Sequence, residues 1–199
     1  MLSNPVKKQV PITVGILGAG NGCGVTHFSI LLANYLAAVE QERTALLAWN
    51  PRDDLEKLVH IYTCGRKVQE PVSLLDVDYY YKGGPEALNI CIQGGYTAVI
   101  LDLGRLREGR QTEFLQCQRQ CFLLALNEWR LGDVIVQKEF LQKGKEHWDF
   151  FMVFGSEEAR KEIWRRYGIK ASKLPFAPDA FSIDWEMVGV LDGFWKRKR

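Results

Sequence analysis

At 199 residues, with 47% apolar and 25% charged side chains, the chain has the size and make-up of one α/β domain with a sizeable core. A net charge of +2 is too mild to argue for nucleic-acid binding, no apolar run reaches the roughly 18 residues of a membrane-spanning helix, and MLSNPVKKQVP has no signal-peptide core. A cytoplasmic location is therefore expected, and five scattered cysteines (23, 64, 91, 117 and 121) fit reduced thiols better than a disulfide framework.

Residues 1–10 are polar and read as a leader, residues 11–182 as the main domain and residues 183–199 as a tail. The domain opens with an apolar strand, Ile12 to Leu17, followed by a loop with glycines at 18, 20, 22 and 24 and by an amphipathic helix, Thr26 to Val39. Phe28, Leu31, Leu32, Tyr35 and Leu36 give that helix its core face. Strand, glycine loop and helix in this order place converging backbone N–H groups around one concave spot that suits an anion. In the best register to GxxxxGK[ST], which spans Ala19 to Thr26, Gly24 and Thr26 match while Val25 stands where the lysine belongs. This makes Gly20, Asn21, Gly22, Cys23, Gly24, Val25, Thr26 and His27 the candidate nucleotide-binding residues. A glycine-rich turn with no ligand is the plain alternative, and Cys23 reads as small filler within the loop.

Thr44 to Trp49 is an apolar run of strand length that ends at Asn50-Pro51. A helix over Asp53 to Tyr62, an extended segment over Val72 to Tyr81 and a turn at Gly83-Gly84 follow. Tyr79, Tyr80 and Tyr81 either pack on the domain or offer an aromatic face to a partner. After a short helix, Pro85 to Ile92, the run Tyr96 to Gly104 puts Asp102 at the end of a buried strand, where a carboxylate can hold a Mg²⁺-bound water near a phosphate. Arg105 to Gln116 is polar, with Arg105, Arg107 and Arg110 within reach of a phosphate or simply solvated. Further strands are expected over Cys121 to Asn127, Trp148 to Gly155 and Lys170 to Phe176, with helices over Glu128 to Gln142 and from a Ser156 N-cap to Tyr167. The alternation predicts an α/β fold in three layers, a mostly parallel twisted sheet flanked by helices, with the ligand crevice at the carboxyl ends of the strands.

The loop, the helix segment Leu32 to Ala37 and the Asp102 strand together resemble the MinD/ParA group of P-loop NTPases, whose loop reads KGGxGKTT and whose helix ends in LAxxLA. The resemblance implies ATP or ADP with Mg²⁺ as ligand, with Thr26 and, through water, Asp102 on the metal. It also implies that Pro175, in Leu174 to Asp179, lies by the nucleotide base. Three features of the group are missing: its two lysines fall on Gly20 and Val25, and its Asp-x-Asp-Pro turn falls on Ala48 and Asn50. The reading is thus a degenerate nucleotide-binding scaffold or localisation factor with negligible hydrolysis, similar to the TadZ/CpaE proteins of pilus assembly, and acting as a homodimer or with a protein partner. Two alternatives stand beside it: an active ATPase that takes its cation from Arg105 or from a partner, and a dinucleotide or other phosphate-ligand module.

In the tail, Met187, Leu191, Phe194 and Trp195 fall on one helical stripe and the chain ends in four basic residues. Such a stripe either packs on the domain or lies on an anionic membrane surface, as the basic amphipathic helix of MinD proteins does.

Overall fold

The computed structural model describes residues 10–198, so the leader expected over residues 1–10 lies, save Val10, outside the described residues. The elements are β1 (Ile12–Gly18), α1 (Val25–Ala38), β2 (Thr44–Ala48), α2 (Asp54–Tyr62), β3 (Val72–Leu74), β4 (Val77–Tyr80), α3 (Pro85–Gln93) and β5 (Ala98–Arg105). A 3-10 turn (Leu106–Glu108) leads to α4 (Gln111–Gln116), β6 (Arg119–Leu126), α5 (Leu131–Val136), α6 (Lys138–Gly144), β7 (Asp149–Gly155), α7 (Glu157–Tyr167), β8 (Ala171–Lys173) and α8 (Trp185–Trp195). The strands form one sheet in the order β3-β4-β2-β5-β1-β6-β7-β8, parallel throughout except for the edge strand β3. Apolar runs such as Thr44-Ala-Leu-Leu-Ala48 form strands here because both faces of a parallel sheet are covered, and every residue of β2 is buried.

Helix α1 lies beside the centre of this sheet and is buried on nearly all sides. Its two buried polar residues satisfy themselves on the preceding turn: Ser29 Oγ donates to the Val25 carbonyl at 2.8 Å and Asn34 Nδ2 to the Ile30 carbonyl at 2.9 Å. On the other half of the sheet, Phe114, Phe122, Phe140 and Trp148 form an aromatic cluster, with Phe114 and Trp148 edge to face at 4.9 Å.

Three expected elements take a different form. The single extended segment over Val72 to Tyr81 is an antiparallel hairpin, because Leu75 and Asp76 both adopt the left-handed conformation (φ 48° and 62°) that a two-residue primed turn requires. Tyr79 and Tyr80 are buried on β4, and the Tyr81 hydroxyl donates to the Val68 carbonyl at 3.0 Å, so the tyrosine segment belongs to the domain and offers no aromatic face to a partner. The helix expected over Glu128 to Gln142 is broken into α5 and α6 at Gln137, whose side chain turns to donate to the Ala19 carbonyl of the glycine loop. The last strand stops at Lys173: Leu174 N–H still donates to the Met152 carbonyl at 2.9 Å, but Pro175 has no N–H with which to continue the ladder.

The tail continues the domain. Asp184 caps α8 by accepting from Met187 N–H at 2.8 Å, and Met187, Leu191, Phe194 and Trp195 are all buried. Arg119, buried at the start of β6, donates to the Phe194 and Trp195 carbonyls at 3.1 and 2.7 Å and lies over the Trp195 ring. Both carbonyls lie in the last turn of α8, so the guanidinium fixes the end of the helix to the sheet. The stripe is therefore spent on the domain, and a membrane contact through it would require α8 to leave. Replacing Arg119 by Leu removes the guanidinium from both carbonyls and should lower stability by about 2 kcal/mol. Urea unfolding followed by tryptophan fluorescence checks this; an unchanged midpoint would show that Arg119 does not hold α8.

Candidate phosphate-binding site

Gly18 closes β1, and the next six residues form a loop that is fixed from several sides. Ala19 N–H donates to the Leu123 carbonyl of β6 at 3.0 Å, Gly20 N–H to Cys23 Sγ at 3.3 Å, and the Ala19 carbonyl accepts from Gln137. Gly22 and Gly24 hold φ of 71° and 72°, a region that disfavours any side chain, so the turn into α1 depends on them. Because Gly24 offers no side chain to cap the helix, the first-turn N–H groups of Val25, Thr26 and His27 are left for the cleft those residues line. The Val25 side chain turns under the loop, and a β-carbon at Gly18 would meet it at 2.7 Å. Burial pushes the Cys23 thiol up, which matches its reading as filler and argues against a reactive thiolate.

Opposite the loop stands Asp102 of β5, paired in register with Ile16 of β1 and only 1% exposed. Thr26 Oγ1 donates to one carboxylate oxygen at 2.6 Å and Gly104 N–H to the other at 3.1 Å. Burial nevertheless raises its pKa to about 6, and the Asp54 charge adds to the rise while Arg52 opposes it. The Asn50 side chain is tied into the sheet edge: its Nδ2 donates to the Asp102 carbonyl at 3.0 Å and its Oδ1 accepts from Arg52 N–H at 2.9 Å.

The cleft between these parts has a volume of about 150 Å³. It collects Gly20, Gly22, Cys23, Gly24, Val25, Thr26 and His27 of the expected set, with Asp102 reached through Thr26, while Asn21 turns toward Arg105. Pro175 stands apart, in an adjoining apolar pocket of about 440 Å³ formed with Phe28, Leu31, Val153 and Met187. Gly22, Gly24 and His27 border both spaces, and His27 Nε2 is buried there with no hydrogen-bond partner among the described residues.

Sequence reasoning missed Arg52 and Asp54, which line the cleft from the turn after β2, and Arg130 and Asp133, which approach it from α5. Asp133 pairs with Arg130 at 3.7 Å and Arg107 at 4.0 Å, and a β-carbon at Gly20 would meet its carboxylate at 2.3 Å. No local motif marks these residues; only the sheet order and the break at Gln137 bring them to the loop. No lysine lines the cleft, and no group of three or more His, Cys, Asp or Glu side chains able to hold a metal occurs among the described residues.

No protein-family model matches the sequence, and no curated protein matches it either. Solved structures do. MinD from Aquifex aeolicus is similar over 83% of both chains at 14% identity and a TM-score of 0.62. A ParA family ATPase from Chlorobium tepidum matches over 93% of each chain at 14% identity and a TM-score of 0.61. A plasmid partition protein from Borrelia burgdorferi, solved with AMPPNP, covers 94% of this chain and 97% of its own at 11% identity and a TM-score of 0.58. The fold is therefore a MinD/ParA-like P-loop NTPase fold.

The raised Asp102 value has a consequence for stability. Its carboxyl holds a proton more tightly in the folded chain than at the ordinary value of 3.8, so the folded state is favoured below pH 4 and loses that advantage as pH climbs through about 6. Asp102→Asn lacks this titration and can still hydrogen-bond Thr26. In a chelated buffer the wild type should lose about 2 to 3 kcal/mol relative to the variant between pH 4 and 7. Parallel pH profiles of unfolding would exclude a strained carboxylate at this position.

Proposed function

We propose that this chain is a ParA/MinD-like nucleotide-binding protein with little or no hydrolytic activity, working as a scaffold or localisation factor. The observation that carries the reading is the Thr26 and Asp102 pair facing a glycine loop in a cleft without a lysine. ATP or ADP is the ligand this arrangement favours, with phosphates on the loop amides and the ring in the adjoining apolar pocket beside Pro175. The AMPPNP bound to the Borrelia partition protein supports the same choice of ligand. Thr26 Oγ1 and the Asp102 carboxylate are hard oxygen donors of the kind Mg²⁺ accepts beside substrate phosphates, and a cation there would relieve the buried charge of Asp102.

Weak hydrolysis follows from charge. In phosphoryl transfer the protein contributes positioning and neutralisation of the charge that develops on the phosphate. With Gly20 and Val25 in the lysine positions, that neutralisation is reduced, and lost electrostatic catalysts of this kind cost roughly 3 to 4 kcal/mol each. A protein partner or second copy is proposed to meet the α5 region, where Trp129 just before the helix and Val136 at its end are exposed by 77% and 69%. The second reading, an ATPase that uses an arginine, draws on the presence of Arg105 in the cleft.

Titration of ATP, ADP and GTP with Mg²⁺ by calorimetry tests the proposal. The wild type should bind ATP and ADP, Gly24→Arg should bind neither, and phosphate release should stay at the background rate. Turnover that disappears in Asp102→Asn would favour the ATPase, and no binding at millimolar nucleotide would remove the nucleotide reading altogether.

A further inference from the structure

Two arginines, Arg105 at the end of β5 and Arg52 in the turn after the neighbouring β2, reach the same cleft. Arg105, the last residue of β5, gives Nε and Nη2 to Glu108 Oε1 at 2.7 and 2.6 Å, and its own N–H donates to Glu108 Oε2 at 3.0 Å. Glu108 is itself largely buried, so this side of the guanidinium is fixed. The free edge faces the glycine loop, where Nη1 donates to Asn21 Oδ1. Arg52, in the turn after β2, gives Nε to Asp54 Oδ2 at 2.7 Å, and both of these charges are felt by Asp102. β2 and β1 flank β5, and Arg52 and Arg105 line the same cleft as the glycine loop and Thr26, which donates to Asp102.

From this geometry we infer that Arg105, assisted by Arg52, supplies the phosphate contacts that a P-loop lysine would otherwise make, and so decides how the site discriminates among nucleotides. The inference rests on the nucleotide reading of the same site and assigns its specificity. A phosphate oxygen carries a negative charge that the amide oxygen of Asn21 lacks, so it adds Coulombic attraction to the guanidinium and outcompetes Asn21 for Nη1. A guanidinium also presents its donors in a fixed fork that matches phosphate, which an ammonium does not. Each arginine is already balanced by an acid, Glu108 or Asp54, so the pair contributes directed donors with no excess of positive charge. The class of ligand that fits is a nucleoside di- or triphosphate carried as its Mg²⁺ complex, because a monophosphate seated on the loop amides leaves the second arginine without an acceptor.

The test measures Mg²⁺-ADP and AMP affinities by calorimetry for the wild type, Arg105→Gln, Arg52→Gln, Arg105→Lys and the distant Lys161→Gln, with thermal melts to confirm folding. Arg105→Gln should weaken ADP at least tenfold and narrow the preference for ADP over AMP, Arg105→Lys should restore the affinity only in part, and Arg52→Gln should have a smaller effect of the same sign. Lys161→Gln should change nothing. Wild-type binding that survives Arg105→Gln and Arg52→Gln unchanged overturns this inference and leaves the nucleotide reading intact. No binding of any nucleotide by the wild type overturns both.

Discussion

A carboxylate removed from water has to be given hydrogen-bond donors, and the way Asp102 obtains them ties together the carboxyl edge of the sheet. Its side chain draws in Thr26 from α1 and Gly104 from the turn after its own strand, while its backbone carbonyl accepts from Trp49 N–H and Asn50 Nδ2 at the end of β2. One residue thereby links β2, β5 and α1. The helix cannot shift without breaking the 2.6 Å bond from Thr26, so the glycine loop that precedes it is held at a fixed height above β5. The arrangement is costly, as the raised pKa shows, and a fold that needed only a core would have a neutral side chain there.

How much of this is legible in the sequence depends on the range of the interaction involved. The strand, glycine loop and helix from Ile12 onward, the buried β2 and β5 runs and the Ser156 cap are set by neighbours within a few residues, and each forms where the pattern puts it, with ends shifted by a residue or two. The hairpin at Leu75 and Asp76 escaped because a primed turn usually advertises itself with Asn-Gly or Gly, and neither residue gives that signal. The break at Gln137 has no glycine or proline to mark it either; it exists because the side chain is needed at Ala19, a contact 118 residues away along the chain.

The same distinction runs through the site. Gly20 to His27 is a local motif and was readable as one, whereas Arg52, Arg130 and Asp133 reach the loop only through the sheet order and the fold of α5. The tail shows the limit from the other side. Its apolar stripe was plain, but whether the stripe meets a membrane or the domain is decided by Arg119, a charged residue whose burial beneath the end of α8 no periodicity could announce.

The small residues at positions 20 and 25 are each fitted to what surrounds them. At position 20 the space beside the backbone is filled by the Asp133 carboxylate, which Arg130 and Arg107 hold in place, so a longer side chain there would have to displace an ion-pair network. At position 25 the Val25 side chain is packed against Gly18, and a lysine would have to bring its charge out from beneath the loop. Both positions are thus repacked around the smaller residues. The arginines of the cleft stand at the ends of β2 and β5, where Arg52 and Arg105 are each paired with an acid, Asp54 and Glu108. The loop thus keeps its first-turn amides and its Thr26 to Asp102 link, while the space beside positions 20 and 25 is taken by neighbouring side chains.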